Sequence, residues 1–255
     1  MTPYSGTALT PLIGRDREIR AIESRLAGSS RLITLLGPGG SGKTRLAREL
    51  FNRRRTQDAA TYFVDLVGVL DPGLVPTEIA TELGVTETAD LDAAGVVTAA
   101  LRGSSAALFL DNLEELAGAQ DFVAGLLQAA PSLQVIATSR VPLDIPGEVE
   151  FNVAPLEVPR GDARAEVESS PAALLFLERA RAVGRLDEVD APTAKAIGEL
   201  CRRLDGLPLA LELAAARTRI LGEKPLCAAR RSASSIVTYR CVTSSECGLW
   251  GERSG

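Results

Sequence analysis

Arg31-Leu32-Ile33-Thr34-Leu35-Leu36-Gly37-Pro38-Gly39-Gly40-Ser41-Gly42-Lys43-Thr44-Arg45-Leu46 is the stretch on which the fold turns. Arg31–Leu36 is a short apolar run that ends at a glycine, the pattern of a buried strand. Gly37 to Thr44 then reads G-x-x-x-x-G-K-[ST]. Lys43–Phe51 resumes helical spacing through Leu46 and Leu50. Strand, glycine loop and helix in this order make a phosphate cradle. The glycines let backbone N–H groups point inward, and the helix start adds a positive dipole end. Gly37, Pro38, Gly39, Gly40, Ser41, Gly42, Lys43 and Thr44 are therefore candidate nucleotide ligands. Lys43 can reach the β- and γ-phosphates, and the Thr44 hydroxyl can ligate Mg²⁺.

Outward from the loop, strand and helix patterns alternate. Arg15–Leu26 has helical spacing at Ile19, Ile22 and Leu26. Thr61–Leu66 alternates as a second strand, and Pro76–Leu83 and Leu91–Leu101 read as helices closed by glycine. Ala106–Leu110 is apolar at every position, as suits a parallel strand covered on both faces. Phe122–Ala130 is a helix that stops before Pro131. Leu133–Thr138 and Val149–Val153 complete five strands. The expectation is an α/β fold: a doubly wound, five-stranded parallel sheet over residues 15–160, preceded by an arm at 1–14. Beyond Pro155 the pattern turns helical, with Leu174, Leu177 and Val183 on one face, then Ala194–Leu204 and a helix from Pro208 to Ala216. That predicts a small all-helical subdomain over 161–220.

Leu108-Phe109-Leu110-Asp111 is a buried strand ending in a carboxylate, the Walker B arrangement for holding Mg²⁺. Asn112 follows, and an amide cannot act as a general base. Glu114 and Glu115 are the nearest carboxylates: either one orients water, or both simply start a helix. Hydrolysis is expected to be slow. Arg140 follows the fourth strand, at the sheet end that faces the phosphates, where a guanidinium can sense the γ-phosphate. The candidate catalytic set is Lys43, Asp111, Glu114 and Arg140, and the candidate metal ligands are Thr44 and Asp111.

Composition narrows the alternatives. The chain has 255 residues and no histidine, which excludes Ser-His-Asp and Cys-His catalysis and any His-bearing zinc site. Apolar residues make up 45%, enough for a folded core. The formal charge of −5 gives no footprint for direct nucleic-acid binding or for an anionic membrane. No apolar run approaches the roughly 18 residues of a membrane span, and Met1–Thr10 is no secretory signal, so the cytoplasm is expected. The four cysteines form no C-x-x-C pair. Leu221–Gly255 has no sustained periodicity and holds three of those cysteines, the only tryptophan and six serines. Its five basic and three acidic residues leave 23 basic against 30 acidic in residues 1–220, so the body carries −7. An irregular or disordered tail is expected there.

Four ordered motifs carry a resemblance. Leu12-Ile13-Gly14-Arg15-Asp16-Arg17-Glu18 resembles the hhGRExE signature, and Leu110-Asp111-Asn112-Leu113-Glu114 resembles an L-D-N-x-E Walker B. Ala137-Thr138-Ser139-Arg140 resembles a sensor strand, and Gly206-Leu207-Pro208-Leu209-Ala210 resembles a GLPLA motif. With the phosphate loop they resemble the STAND class of signal-transducing P-loop ATPases. Within it they look like the NB-ARC-type module of bacterial ATP-dependent transcriptional regulators. The resemblance implies that Ile13, Gly14 and Arg15 lie near adenine and ribose and that Pro208 approaches the nucleotide. From the residues alone, Gly206 to Pro208 is equally a tight helix-to-helix turn. It further implies an ATP/ADP switch with Mg²⁺, ADP favouring a closed state and ATP an open one, and self-association or regulator domains absent from this chain.

Members of that class continue into a winged-helix segment and repeats. The expectation is thus a truncated regulator with a frameshifted or otherwise aberrant tail after residue 221; a naturally short protein with a disordered tail is the rival. Truncation is expected to expose apolar surface at Leu211 and Leu213. A P-loop small-molecule kinase and a non-functional fragment are the remaining alternatives; the three-helix region is not an obvious lid for a kinase.

Overall fold

The computed structural model describes residues 11–56, 60–116, 118–182, 184 and 189–217. Val183, the tail from residue 221 and most of the expected N-terminal arm lie outside the described residues. The chain divides into two compact units, Met1–Ala154 and Pro155–Gly255.

In the first unit the order is α1 (Asp16–Ala27), β1 (Leu32–Leu36), α2 (Lys43–Arg55), β2 (Thr61–Asp65), α3 (Val75–Leu83), α4 (Ala93–Leu101), β3 (Ala107–Asp111), α5 (Ala119–Ala129), β4 (Gln134–Ser139) and β5 (Glu148–Asn152). The five strands form one sheet in the order β2-β3-β4-β1-β5, and every neighbouring pair is parallel. β1 lies between β4 and β5, with Leu36 beside Ser139 and Asn152. The loop that follows β1 therefore leaves from the interior of the sheet, and the ends of β3 and β4 are its neighbours on one side.

Alternation of side chains assigns the two faces. Leu108 and Leu110 of β3 and Val135 and Ala137 of β4 share a core with Val75, Ile79, Val97, Val123 and Leu126 from α3, α4 and α5. Phe109 of β3, Ile136 of β4 and Ile33 and Leu35 of β1 pack with Ile19, Ile22, Leu46 and Leu50 from α1 and α2. Helices on both faces make the sheet doubly wound, as the continuous apolar run of β3 predicts.

Boundaries move where local capping competes with periodicity. α4 begins at Ala93 because the Asp92 side chain accepts from Gly95 N–H at 2.8 Å. Leu91, read as helical, precedes it and is exposed. α5 begins at Ala119, after Gly118 in a left-handed conformation (φ 104°).

The second unit contains α6 (Arg164–Ser169), α7 (Pro171–Ala182), α8 (Ala191–Arg203) and α9 (Pro208–Arg217). α6 was not expected, since six residues are too few to display a period. Leu211, expected to be exposed, is fully buried, whereas Leu213 is 48% exposed. The helical period explains the correction: Leu211, Ala214 and Ala215 lie at i, i+3, i+4 on the inner face, and Leu209 and Leu213 on the outer. Cys201 of α8 is free and buried, and burial pushes its thiol up to about 12, a thiol with little reactivity.

Candidate functional site

Gly37 to Thr44 joins β1 to the first turn of α2, the strand, loop and helix that the sequence predicts. Gly37 is required by a close approach: a Cβ there would lie 2.8 Å from the Val153 carbonyl oxygen and 2.9 Å from Ser41 Oγ. Lys43 Nζ bends back to donate to Gly37 O at 2.8 Å and Pro38 O at 3.3 Å. Burial lowers the Lys43 pKa from its ordinary value, Glu114 and Asp111 oppose that shift, and Arg140 adds to it. The four groups thus share one electrostatic environment.

Asp111, at the end of β3, is 1% exposed. Its Oδ1 accepts from Thr44 Oγ1 at 3.0 Å and from Thr138 Oγ1 at 2.6 Å. Its Oδ2 is buried with no hydrogen-bond partner among the described residues. Burial raises the Asp111 pKa, the two hydroxyl bonds oppose the rise, and Asp65 adds to it. An unsatisfied carboxylate oxygen beside a threonine hydroxyl suits a hard, oxygen-seeking cation such as Mg²⁺, which takes one or two protein ligands and completes its shell with water and phosphate. Thr44 and Asp111 can hold such an ion.

Thr138, to which no sequence pattern gives a role, joins the end of β4 to Asp111. It donates to Asp111 Oδ1 and accepts from Asn112 N–H at 2.9 Å. Asn112 sits in a left-handed conformation (φ 66°, ψ 48°), tolerated by its short polar side chain. That conformation leads into a 3₁₀ turn, Leu113–Glu115, which brings Glu114 to Arg140. Arg140 Nε donates to Glu114 Oε1 at 3.0 Å; the Glu114 side chain is 9% exposed and that of Arg140 is 53% exposed. Glu114 Oε2 is buried without a partner among the described residues. The side chain of Glu115 lies outside the described ones.

Arg15, which the motif sets near adenine and ribose, meets backbone carbonyls of the phosphate loop and of the segment after β5. Its side chain is 4% exposed and donates from Nη2 to Ser41 O at 3.0 Å and to Ala154 O at 2.7 Å, and from Nη1 to Glu18 Oε1 at 2.7 Å. The guanidinium therefore braces the backbone of the phosphate loop. Ile13 is half-buried and Gly14 exposed just before it.

Pro208 belongs to the second unit, as the first residue of α9. Before it, Gly206 has φ 65°, and a Cβ there would collide with the Leu156 carbonyl oxygen. Gly206 O accepts from Leu156 N–H at 2.9 Å. The glycine of the GLPLA segment is thus required by backbone against backbone within its own unit.

Residues 11–138 match the AAA ATPase domain family. Over 215 residues the chain is 34% identical to an uncharacterised protein of Mycobacterium tuberculosis, covering 84% of this chain and 52% of that one. Over 195 residues it is 35% identical to a protein of the same organism named provisionally as an HTH-type transcriptional regulator, covering 76% of this chain and 21% of that one. The chain therefore spans about half the length of the first relative and about a fifth of the second. Among solved structures, Cdc6p from Pyrobaculum aerophilum superposes with a TM-score of 0.59 at 16% identity, covering 92% of this chain and 65% of that one. Drosophila ORC bound to DNA superposes with a TM-score of 0.56 at 14% identity, covering 91% and 68%. Likeness at these identities is a likeness of fold. With a matched domain spanning residues 11–138, this chain belongs to the AAA ATPase domain family, a nucleotide-binding module.

Proposed function

We propose that the chain is an ATP/ADP-binding switch module of STAND, NB-ARC-like type within a cytoplasmic transcriptional regulator, and that it hydrolyses ATP slowly. The name of the second relative and the four ordered motifs support the regulatory setting. The observation that carries the switch is the Arg140–Glu114 pair beside Lys43. A switch needs a group that distinguishes three phosphates from two, and a partly exposed arginine beside the phosphate loop is such a group.

In this reading Gly37 to Thr44 cradle the phosphates, and Lys43 exchanges the two carbonyls it now holds for phosphate oxygens. Thr44 and Asp111 hold Mg²⁺, which neutralises phosphate charge. Arg140 leaves Glu114 for the γ-phosphate, and the freed Glu114 orients a water molecule. Arg15 acts through the Ser41 carbonyl, while Ile13 and Gly14 lie near the base. Self-association and contact with DNA belong to the larger regulator, and this acidic chain makes no direct nucleic-acid contact of its own.

The test is thermal stability with nucleotide. Saturating Mg²⁺–ADP at 100 times Kd stabilises a native state by about 2.7 kcal/mol. Wild type should show that shift and Lys43→Ala should lose it. Equal shifts in the two proteins would overturn the reading, and rapid multiple-turnover transfer to an acceptor would favour a kinase instead.

A further inference from the structure

A cavity of about 640 Å³ opens at the end of the sheet opposite the phosphate loop. Its wall is made by the last turns of α1 and α2 and by residues entering or lying in β3 and β4. Because α2 has 13 residues, its far end lies about 20 Å from Lys43. The cavity is therefore separate from the nucleotide site.

Two polar atoms in this wall are buried without a hydrogen-bond partner among the described residues: Arg54 Nε and Gln134 Oε1. A buried, unsatisfied polar group is costly and rare enough to need a reason. Gln134 is fixed in orientation, since its Nε2 donates to Leu26 O at 2.7 Å, so its free oxygen is an acceptor waiting for a donor. Arg54 offers the reverse, a charged donor waiting for an acceptor. Arg53 and Glu23 also face the cavity, and Arg53 is already paired with Glu49 at 2.8 Å. With Arg53 held by Glu49, Arg54 and Glu23 are the remaining charges in the wall, and Arg54 carries the buried donor that lacks a partner among the described residues. Leu26, Leu50 and Phe109 supply its apolar part.

We propose that this cavity is a second ligand site that takes a small monocarboxylate bearing an N–H donor on an apolar body, the chemistry of an N-acylated apolar amino acid. The carboxylate meets Arg54, the N–H meets Gln134 Oε1, and the apolar body lies on Leu50 and Phe109. One open guanidinium donor, with the Glu23 carboxylate in the same wall, suits a monocarboxylate better than a dianionic phosphate. The ligand touches α2 and β3, the elements that carry Lys43, Thr44 and Asp111 at their other ends.

The experiment uses the full 255-residue chain without nucleotide and N-acetyl-L-phenylalanine as the probe, followed by backbone amide NMR. The expected result is saturable shifts of the Phe109 and Gln134 amides at concentrations up to about 10 mM, a range ordinary for a ligand of this size. Arg54→Met keeps the stem, removes an unpaired charge and should weaken binding about tenfold or more, with circular dichroism and melting temperature retained. The methyl ester of the probe should fail to bind, and 3-phenylpropanoate, which lacks the N–H, should bind more weakly. Absence of saturable shifts, shifts confined to Gly37–Thr44, equal binding by Arg54→Met, or equal binding of either analogue would each overturn the proposal. None of these outcomes depends on whether the phosphate loop binds ATP.

Discussion

Arg140 and Glu114 stand 26 residues apart in sequence and 3.0 Å apart in space, joined because β3 and β4 are parallel neighbours and the turn after Asp111 folds toward the end of β4. The pair is asymmetric: the arginine is half-exposed and the glutamate is nearly covered. Arg140 is thus free to move and Glu114 is not. Arg140→Ala should weaken ATP binding about tenfold or more, the scale of one charge-assisted hydrogen bond, and leave ADP affinity nearly unchanged. Titration calorimetry with each nucleotide reads the difference; equal losses for ATP and ADP would deny Arg140 a sensing role.

Glu114 makes a separate prediction. Glu114→Gln keeps the size of the side chain and a hydrogen bond to Arg140 but removes the carboxylate proposed to orient water. ATP affinity should stay within about threefold while the single-turnover hydrolysis rate falls about a hundredfold, the range of a lost general base. Phosphate release under single-turnover conditions is the measurement. An unchanged rate would leave Glu114 a structural partner of Arg140.

How far these contacts could be read from the sequence depends on their range. Gly37 to Thr44, Asp111 and the five strands were legible because each is a local pattern of spacing or apolar run. Arg140 was legible by its place after a strand. Its pairing with Glu114 was not, because no local pattern encodes which strands become neighbours. Thr138 was hidden for another reason: a threonine in a buried strand reads as β-propensity until its hydroxyl is seen between Asp111 and Asn112. The Arg15 contacts with Ser41 O and Ala154 O are not legible, because motif position says nothing about which carbonyls a guanidinium meets. Truncation alone predicts exposure for the whole segment, whereas the helix period decides it residue by residue, burying Leu211 and exposing Leu213.

Asp111 predicts a pH dependence. Burial raises its folded pKa above the unfolded value. For a raised carboxyl the folded state holds the proton more tightly, so this contribution to stability is fully present below the unfolded pKa of about 3.9 and is lost as pH rises through the folded value. At neutral pH the nucleotide-free protein therefore carries the cost of an ionised buried carboxylate. Asp111→Asn should melt higher than wild type without nucleotide at pH 7, with the gap closing as pH falls toward 4. The same variant should lose the Mg²⁺ enhancement of ATP binding. A gap that stays constant with pH would remove Asp111 as its source.

Arg15 and its carbonyl partners give the last prediction. The guanidinium is almost wholly buried and holds Ser41 O and Ala154 O, which Arg15→Met would leave without a donor. Each buried carbonyl stripped of its partner costs about 1–3 kcal/mol, so the variant should lose about 3 kcal/mol of stability in urea titrations. Because Arg15 acts on the loop backbone and not on the γ-phosphate, affinity for ATP and for ADP should fall by the same factor. That equality separates Arg15 from Arg140, whose removal touches ATP alone. Arg15→Lys tests the geometry, since an ammonium keeps the charge but lacks the planar fork that reaches both carbonyls at once. It should recover only part of the stability; full recovery would mean that charge, not the two-carbonyl bridge, is what the phosphate loop requires.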